Sequence, residues 1–300
     1  SFTVPRGKCV GIVGESGCGK SVTAMSMVRL LPQPAGRILG GEVLFNGKDV
    51  VQMQPNKLRE LRGGRIGFIF QEPMNALNPV HTIGEQVAET LMLHRGMSPE
   101  QAWPEAVELL KQVRIPASAE RADDFPSSLS GGMRQRVVIA MAIACRPQLI
   151  IADEPTTALD VTVQQQILTL LQDMRKELNA STLLITHDLG IIARHCDRVL
   201  VMYAGRIVES APVEELFARP AHAYTRALLA AMPRRDYPHK SYLPTIPGQV
   251  AAIRDYVPGC RFCQRMGVDP KTLTERPPMV EIAPDHYVEA CPRCMENGNM

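Results

Sequence analysis

The sequence predicts an α/β fold with a mainly parallel sheet covered on both faces. Three observations carry this. Short apolar runs, Cys9 to Val13, Leu149 to Ala152, Thr182 to Ile185 and Val199 to Tyr203, have the length and composition of buried strands. Longer stretches of helical periodicity, such as Val161 to Leu178 and Leu189 to His195, alternate with them. A glycine-rich loop, residues 14–21, joins the first strand to a helical segment, Val22 to Leu31, that stops at Pro32.

The remaining elements follow in order. Glu42 to Phe45 with Asn46-Gly47 reads as a strand entering a turn, and Arg65 to Phe70 as another strand. From about His81 to Pro126 the texture becomes helical. Ile83 to His94 and Glu105 to Val113 carry the periodicity, and Gly96-Met97-Ser98-Pro99 breaks it, so a small helical subdomain is inserted into the α/β core. Gly131 to Cys145 reads as a helix. After about Pro233, proline, charge and cysteine rise and periodicity fades, which marks an accessory tail.

Composition narrows the function classes. With 45% hydrophobic and 21% charged residues in 300, the chain is of ordinary globular type. A net charge of +2 implies no strong pull toward nucleic acid or anionic lipid. The longest apolar run, Val137 to Cys145, is far below the roughly 20 residues of a spanning helix. No secretory signal is visible at the start, so work at a membrane would need other chains to span it. Cys9, Cys18, Cys145 and Cys196 lie in apolar or motif segments and read as reduced, mostly buried thiols.

The loop Gly14-Glu15-Ser16-Gly17-Cys18-Gly19-Lys20-Ser21 fits G-x-x-x-x-G-K-[ST] between a strand and a helix. Glycines let backbone N–H groups turn inward around phosphates, and the helix N-terminus adds partial positive charge. Lys20 would reach the β- and γ-phosphates of ATP and Ser21 would ligate Mg²⁺. Asp153-Glu154 ends the apolar run Leu149-Ile150-Ile151-Ala152. Asp153 at a strand's carboxyl edge can hold Mg²⁺ through water, and Glu154 is placed to polarise the attacking water. Alone, that pair would equally be a solvated acidic turn before Pro155. Leu129-Ser130-Gly131-Gly132-Met133 opens a helix and offers a hydroxyl and free N–H groups to an anion; taken singly, Ser130 is an ordinary N-cap.

With these motifs in this order, the chain resembles the nucleotide-binding subunit of an ABC transporter, over about residues 1 to 232. The resemblance implies a P-loop NTPase with a RecA-like core, a helical subdomain over about 81–135, and a small cysteine-containing extension over 233–300. It implies that Gln71 contacts metal and water and reports nucleotide state to a membrane partner. Ser130, Gly131 and Gly132 would cap the γ-phosphate of ATP on the opposite protomer, Asp160 would lie across the dimer seam, and His187 would sense the γ-phosphate. Catalysis would fall to Glu154, His187, Gln71 and Lys20. Three departures stand out. Met133 replaces the usual Gln, and Cys18 a common Ser. The aromatic residue that stacks on adenine has no counterpart among the 13 residues before Gly14, where Phe2 is the only aromatic. The expectation is that roughly 25–35 native residues are absent, and that ATP binds more weakly without a stack worth about 1–3 kcal/mol.

Tyr203-Ala204-Gly205-Arg206, the run from Gln71 to Pro79, the segment Arg219-Pro220-Ala221-His222-Ala223-Tyr224-Thr225-Arg226 and Pro258-Gly259-Cys260-Arg261-Phe262 resemble the dipeptide, oligopeptide and nickel importer branch. That branch implies a second ATPase subunit, identical or homologous, two transmembrane permease subunits and, indirectly, a solute-binding protein. The site of action would be peripheral, on the cytoplasmic face of the inner membrane. The rival reading is a soluble ABC-type ATPase acting on nucleic acid. The short helical interval between Lys20 and Ser130 and the absence of a basic stripe count against it.

Cys260-x-x-Cys263 and Cys291-x-x-Cys294 form two pairs that can wrap a tetrahedral metal. The spacing by itself favours Zn²⁺, although the gap between pairs is long for a zinc ribbon. Related importer subunits carry four tail cysteines at other spacings, and that resemblance points to a [4Fe–4S] cluster. Reduced cysteines on a flexible tail, or disulfides, are the alternatives. No open catalytic position is implied, so the role would be structural or regulatory.

Overall fold

The computed structural model describes residues 1–232 and 244–295. Among them the strands are β1 (Cys9–Val13), β2 (Leu44–Phe45), β3 (Lys48–Asp49), β4 (Ile66–Ile69), β5 (Leu149–Asp153), β6 (Ser181–Ile185), β7 (Arg198–Tyr203), β8 (Arg206–Pro212), β9 (Met279–Ala283) and β10 (His286–Glu289). The sheet is mixed, its parallel strands interleaved with helices, and the chain divides into two compact units. The segments 233–243 and 296–300, and with them the expected boundary at residue 233, lie outside the described residues.

One unit holds residues 3–9 and 21–185. Strands β4, β5 and β6 run parallel, with Ile66 beside Leu149 and Leu149 beside Ser181. Every residue of β5 and β6 is buried, as continuous apolar runs in a covered sheet should be. The helix Gly131–Ile143 packs on β4 and against the helices Ile83–Arg95, Pro99–Gln112 and Val161–Leu178. It is buried on most sides, from Val137 to Ile143, which explains why it lacks a one-sided apolar stripe. The helix Ile83–Arg95 starts with a capping box, Thr82 with Glu85, and ends on Gly96 in the left-handed region. Pro99–Gln112 begins six residues before the expected Glu105, because Ser98 and Gln101 form a second capping box and Pro99 fits the first turn.

The other unit holds residues 1–2, 10–20 and 186–300. Here β1 pairs with β7 in parallel, and the remaining ladders, β7 with β8, β8 with β10 and β10 with β9, are antiparallel. Ala204 and Gly205 both take positive φ, 45° and 80°, which supplies the tight turn between β7 and β8. The tail therefore contributes a hairpin to the sheet and two short helices, Arg261–Arg265 and Pro292–Met295, where the sequence showed no periodicity. The reason is local: β9 is a short edge strand whose side chains are mostly exposed, so it carries no apolar alternation. Tyr203, Tyr224 and Phe262 form the aromatic centre of this unit, with ring centroids 4.6–5.5 Å apart.

The helix after the glycine-rich loop, Lys20–Met27, ends earlier than Leu31. Arg29 adopts φ 54°, and the N–H groups of Arg29 and Leu30 close on the carbonyls of Ser26 and Met25, a left-handed cap with Arg where Gly is usual. No helix of the described residues is long and apolar enough to cross a membrane.

Candidate nucleotide site

The phosphate loop lies between β1 and the helix Lys20–Met27. Gly17 and Gly19 have φ +78° and +104°, values that L side chains rarely adopt. A Cβ at Gly14 would fall 2.1 Å from the Met202 carbonyl oxygen on β7. Gly14→Ala must therefore push backbone from backbone. The expected cost is about 1–3 kcal/mol, read as a lowered melting temperature together with weakened nucleotide binding; an unchanged melt would count against the tight packing. Lys20 is 5% exposed and its Nζ donates to the carbonyls of Gly14 (2.9 Å) and Glu15 (3.2 Å), which curls the loop around the ammonium. Cys18 is buried, and burial pushes its thiol up, so it stays neutral and adds no negative charge where phosphate would sit.

Three contacts to this loop had no signal in the sequence. The Glu15 N–H donates to the Tyr224 hydroxyl at 3.0 Å. The Arg265 guanidinium, 5% exposed, pairs with the Glu15 carboxylate at 2.5 Å. The Gly205 N–H donates to the Cys18 carbonyl at 2.8 Å. Tyr224 belongs to a segment singled out only for its family likeness, and Arg265 to none.

In the other unit, the end of β5 gathers Ser21, Gln71, Asp153 and Glu154. The Ser21 hydroxyl donates to Asp153 Oδ1 at 3.0 Å. This pair of hard oxygens suits Mg²⁺, which prefers one or two protein oxygens with water and phosphate completing its shell. Glu154 takes φ 45°, an unusual value for a residue with a side chain, and its N–H donates to the Ile185 carbonyl at 2.9 Å. Its Oε2 accepts from Gln71 Nε2 (3.2 Å) and from Thr157 Oγ1 (3.0 Å). The carboxylate is thereby aimed by two neutral donors and a fixed backbone, as a water-polarising group needs to be.

The same unit carries the Ser130 segment. Ser130 caps the helix Gly131–Ile143 by accepting from the Met133 N–H at 3.4 Å. Met133 thus serves by its backbone. A Cβ at Gly132 would meet Val163 Cγ1 at 2.5 Å, so Gly132 is fixed by the start of the helix Val161–Leu178. Asp160 caps that helix through the N–H groups of Thr162 and Val163. His187, in the unit with the phosphate loop, is exposed just beyond β6. The next residue, Asp188, caps the helix Leu189–His195 by accepting from the N–H groups of Gly190 and Ile191.

Cys260, Cys263, Cys291 and Cys294 converge, all buried, with their sulfurs within 4.8 Å of one another. None forms a disulfide. Hydrogen bonds from Cys263, Cys291 and Cys294 pull the Cys260 thiol well down toward thiolate.

Residues 1–157 match the family model for ABC transporters. The chain belongs to the ABC transporter family. Residues 208–266 of this ABC ATPase also match the oligopeptide/dipeptide transporter C-terminal region. The chain is 50% identical, over all of its length and 90% of the relative's, to a probable peptide ABC transporter ATP-binding protein, y4tR, of Sinorhizobium fredii. It is 47% identical to the oligopeptide transport ATP-binding protein OppD of Bacillus subtilis, with 97% of this chain and 81% of OppD covered. Among solved structures, the dimeric ATP-binding cassette MJ0796 bound to ADP and Pi aligns with a TM-score of 0.62 and 31% identity, covering 71% of this chain and 88% of that one. The cassette cbiO1 of Clostridium perfringens, part of the cbiONQ complex, gives 0.62 and 29%, covering 73% and 82%.

Proposed function

We propose that this chain is the ATP-hydrolysing subunit that powers an importer for dipeptides, oligopeptides or a similar small solute. The observation that carries the reading is the aimed carboxylate of Glu154 beside the Ser21–Asp153 pair, at the carboxyl end of β5. The likeness to peptide-import ATP-binding proteins over the full chain supports the substrate class and speaks against the nucleic-acid rival.

In this reading residues 1–232 are the ATPase domain, with the helical subdomain over about 81–135, and residues 233–300 the extension. Lys20 and the loop amides of residues 14–20 hold the β- and γ-phosphates of ATP. Ser21, Asp153 and Gln71 would hold Mg²⁺, which when bound neutralises charge on the phosphate oxygens. Glu154 orients and polarises the attacking water, and His187 senses the γ-phosphate. Ser130, Gly131, Gly132 and Asp160 serve the ATP of a facing ATPase subunit. Two permease subunits carry the solute across, so this subunit works at the cytoplasmic face of the membrane, and a solute-binding protein feeds the system.

Membrane vesicles containing the co-expressed permeases, the second ATPase and the binding protein test the assignment. Labelled oligopeptide should accumulate only with ATP, and the accumulation should vanish with Glu154→Gln. A chain whose hydrolysis ignores permeases and rises instead with DNA or RNA contradicts it.

A further inference from the structure

The four tail cysteines are not used by the ATP chemistry, yet they are among the most buried side chains of the molecule, at 0–5% exposure. Their sulfurs lie 3.5 Å (Cys263–Cys291), 3.6 Å (Cys260–Cys294) and 3.6 Å (Cys263–Cys294) apart. A disulfide needs about 2.05 Å. A tetrahedron of thiolates at about 2.3 Å from one Zn²⁺ has edges of about 3.8 Å. A four-iron cubane puts a separate iron under each thiolate and requires a wider cage than one whose members all lie within 4.8 Å. The cage therefore fits a single ion and does not fit the iron–sulfur cluster that the family likeness implied.

The surroundings suit a closed, negatively charged thiolate centre. His222 Nδ1 accepts from the Tyr224 N–H at 3.1 Å, which leaves the ring proton on Nε2. That Nε2 is buried and has no hydrogen-bond partner, and the His222 ring clusters with the Cys260 sulfur and a Glu289 carboxylate oxygen, one atom from each within 4.8 Å of the others, so an imidazole stands beside the cage as an outer-shell group would. Two guanidinium groups hold the backbone beside the cage: Arg206 donates to the Gly259 carbonyl at 2.8 Å and Arg226 to the Cys294 carbonyl at 3.1 Å. Four sulfur ligands leave no open position, so the ion would be structural.

What the cage holds in place is the helix Arg261–Arg265, which starts at Cys260 and contains Cys263. Five residues do not sustain a helix alone. This one touches the phosphate loop's supports on three sides. Arg265 pairs with Glu15, Phe262 packs on Tyr203 and Tyr224, and Arg261 donates to the Ala204 carbonyl beside the Gly205 that holds Cys18.

We propose that Cys260, Cys263, Cys291 and Cys294 bind one Zn²⁺, and that the zinc-held segment braces the phosphate loop through Arg265 and Glu15. The brace rests on the ATP reading above; the zinc site does not. Elemental analysis of the full chain purified without oxygen should give one zinc per chain, no stoichiometric iron and no visible charge-transfer band. Growth with Co²⁺ should give the intense visible bands of a tetrahedral cobalt thiolate. Stoichiometric iron, or a chain with neither metal, overturns the site. For the brace, zinc removal and Arg265→Gln should each weaken binding of a fluorescent ATP analogue about two- to fivefold, as for a partly exposed ion pair. Zinc should restore the stripped protein, and Arg265→Gln should retain its zinc. Unchanged affinity in both overturns the brace. A zinc-loaded chain that binds no nucleotide overturns the ATP reading, and the brace with it, but not the zinc site.

Discussion

Glu154→Gln will leave ATP binding within a few-fold of the parent and lower turnover about 10²–10⁴-fold, the range for loss of a positioned general base. The substitution keeps the side chain's length and an oxygen that can accept from Thr157 at the 3.0 Å seen for Glu154 Oε2. The backbone bond from residue 154 to the Ile185 carbonyl is untouched, and so is the φ of 45° that turns the side chain out of β5. What disappears is the negative charge that polarises water. Stability should barely change, so unaltered melting temperature with lost turnover separates this role from a structural one. Full turnover in Glu154→Gln would remove Glu154 from the chemistry and leave the proposed mechanism without its base.

Lys20→Ala should have the second largest effect, on affinity. The Lys20 ammonium is almost fully buried and is encircled by the carbonyls of Gly14 and Glu15. A charge in that position meets phosphate oxygens with little competition from water. Hydrogen bonds to charged groups contribute about 1.5–3 kcal/mol, so the dissociation constant for ATP should rise about 10- to 150-fold. Removing the ammonium also frees two loop carbonyls that now curl around it, so the loop itself should loosen. Lys20→Arg is no rescue: a forked guanidinium has no room among those carbonyls. Equilibrium titration with a fluorescent ATP analogue reads the change. Affinity unaltered by Lys20→Ala would mean that phosphate binds elsewhere.

The parts legible in the sequence are those whose cause is local. The glycine-rich loop follows from φ values that only glycine tolerates at Gly17 and Gly19. The helices Val161–Leu178 and Leu189–His195 appear at their expected bounds because periodicity and an acidic N-cap, Asp160 or Asp188, coincide. The strands of the parallel ladders read as apolar runs because both their faces are covered. What escaped depends on distant pairing. Arg265 and Glu15 stand 250 residues apart, and nothing near either announces the other. Strand β8 turns antiparallel at Ala204–Gly205, and β9 and β10 add to it from the tail, so no alternating helix marks them. The helix after the phosphate loop stops at Met27 because Arg29 takes a left-handed conformation that propensity assigns to glycine. Four cysteines in two pairs announced that they could meet, but how closely their sulfurs converge depends on the folding of two tail segments that no local pattern marks.

The central claim is that ATP is clasped between two ATPase subunits, the lysine loop of one facing the Ser130 helix tip of the other. Light scattering of Glu154→Gln, with its partner ATPase if the two differ, measures this directly. With ATP and Mg²⁺ the account predicts a pair of ATPase chains holding two nucleotides, which falls apart with ADP. Chains that stay single while each retains its own ATP would contradict it.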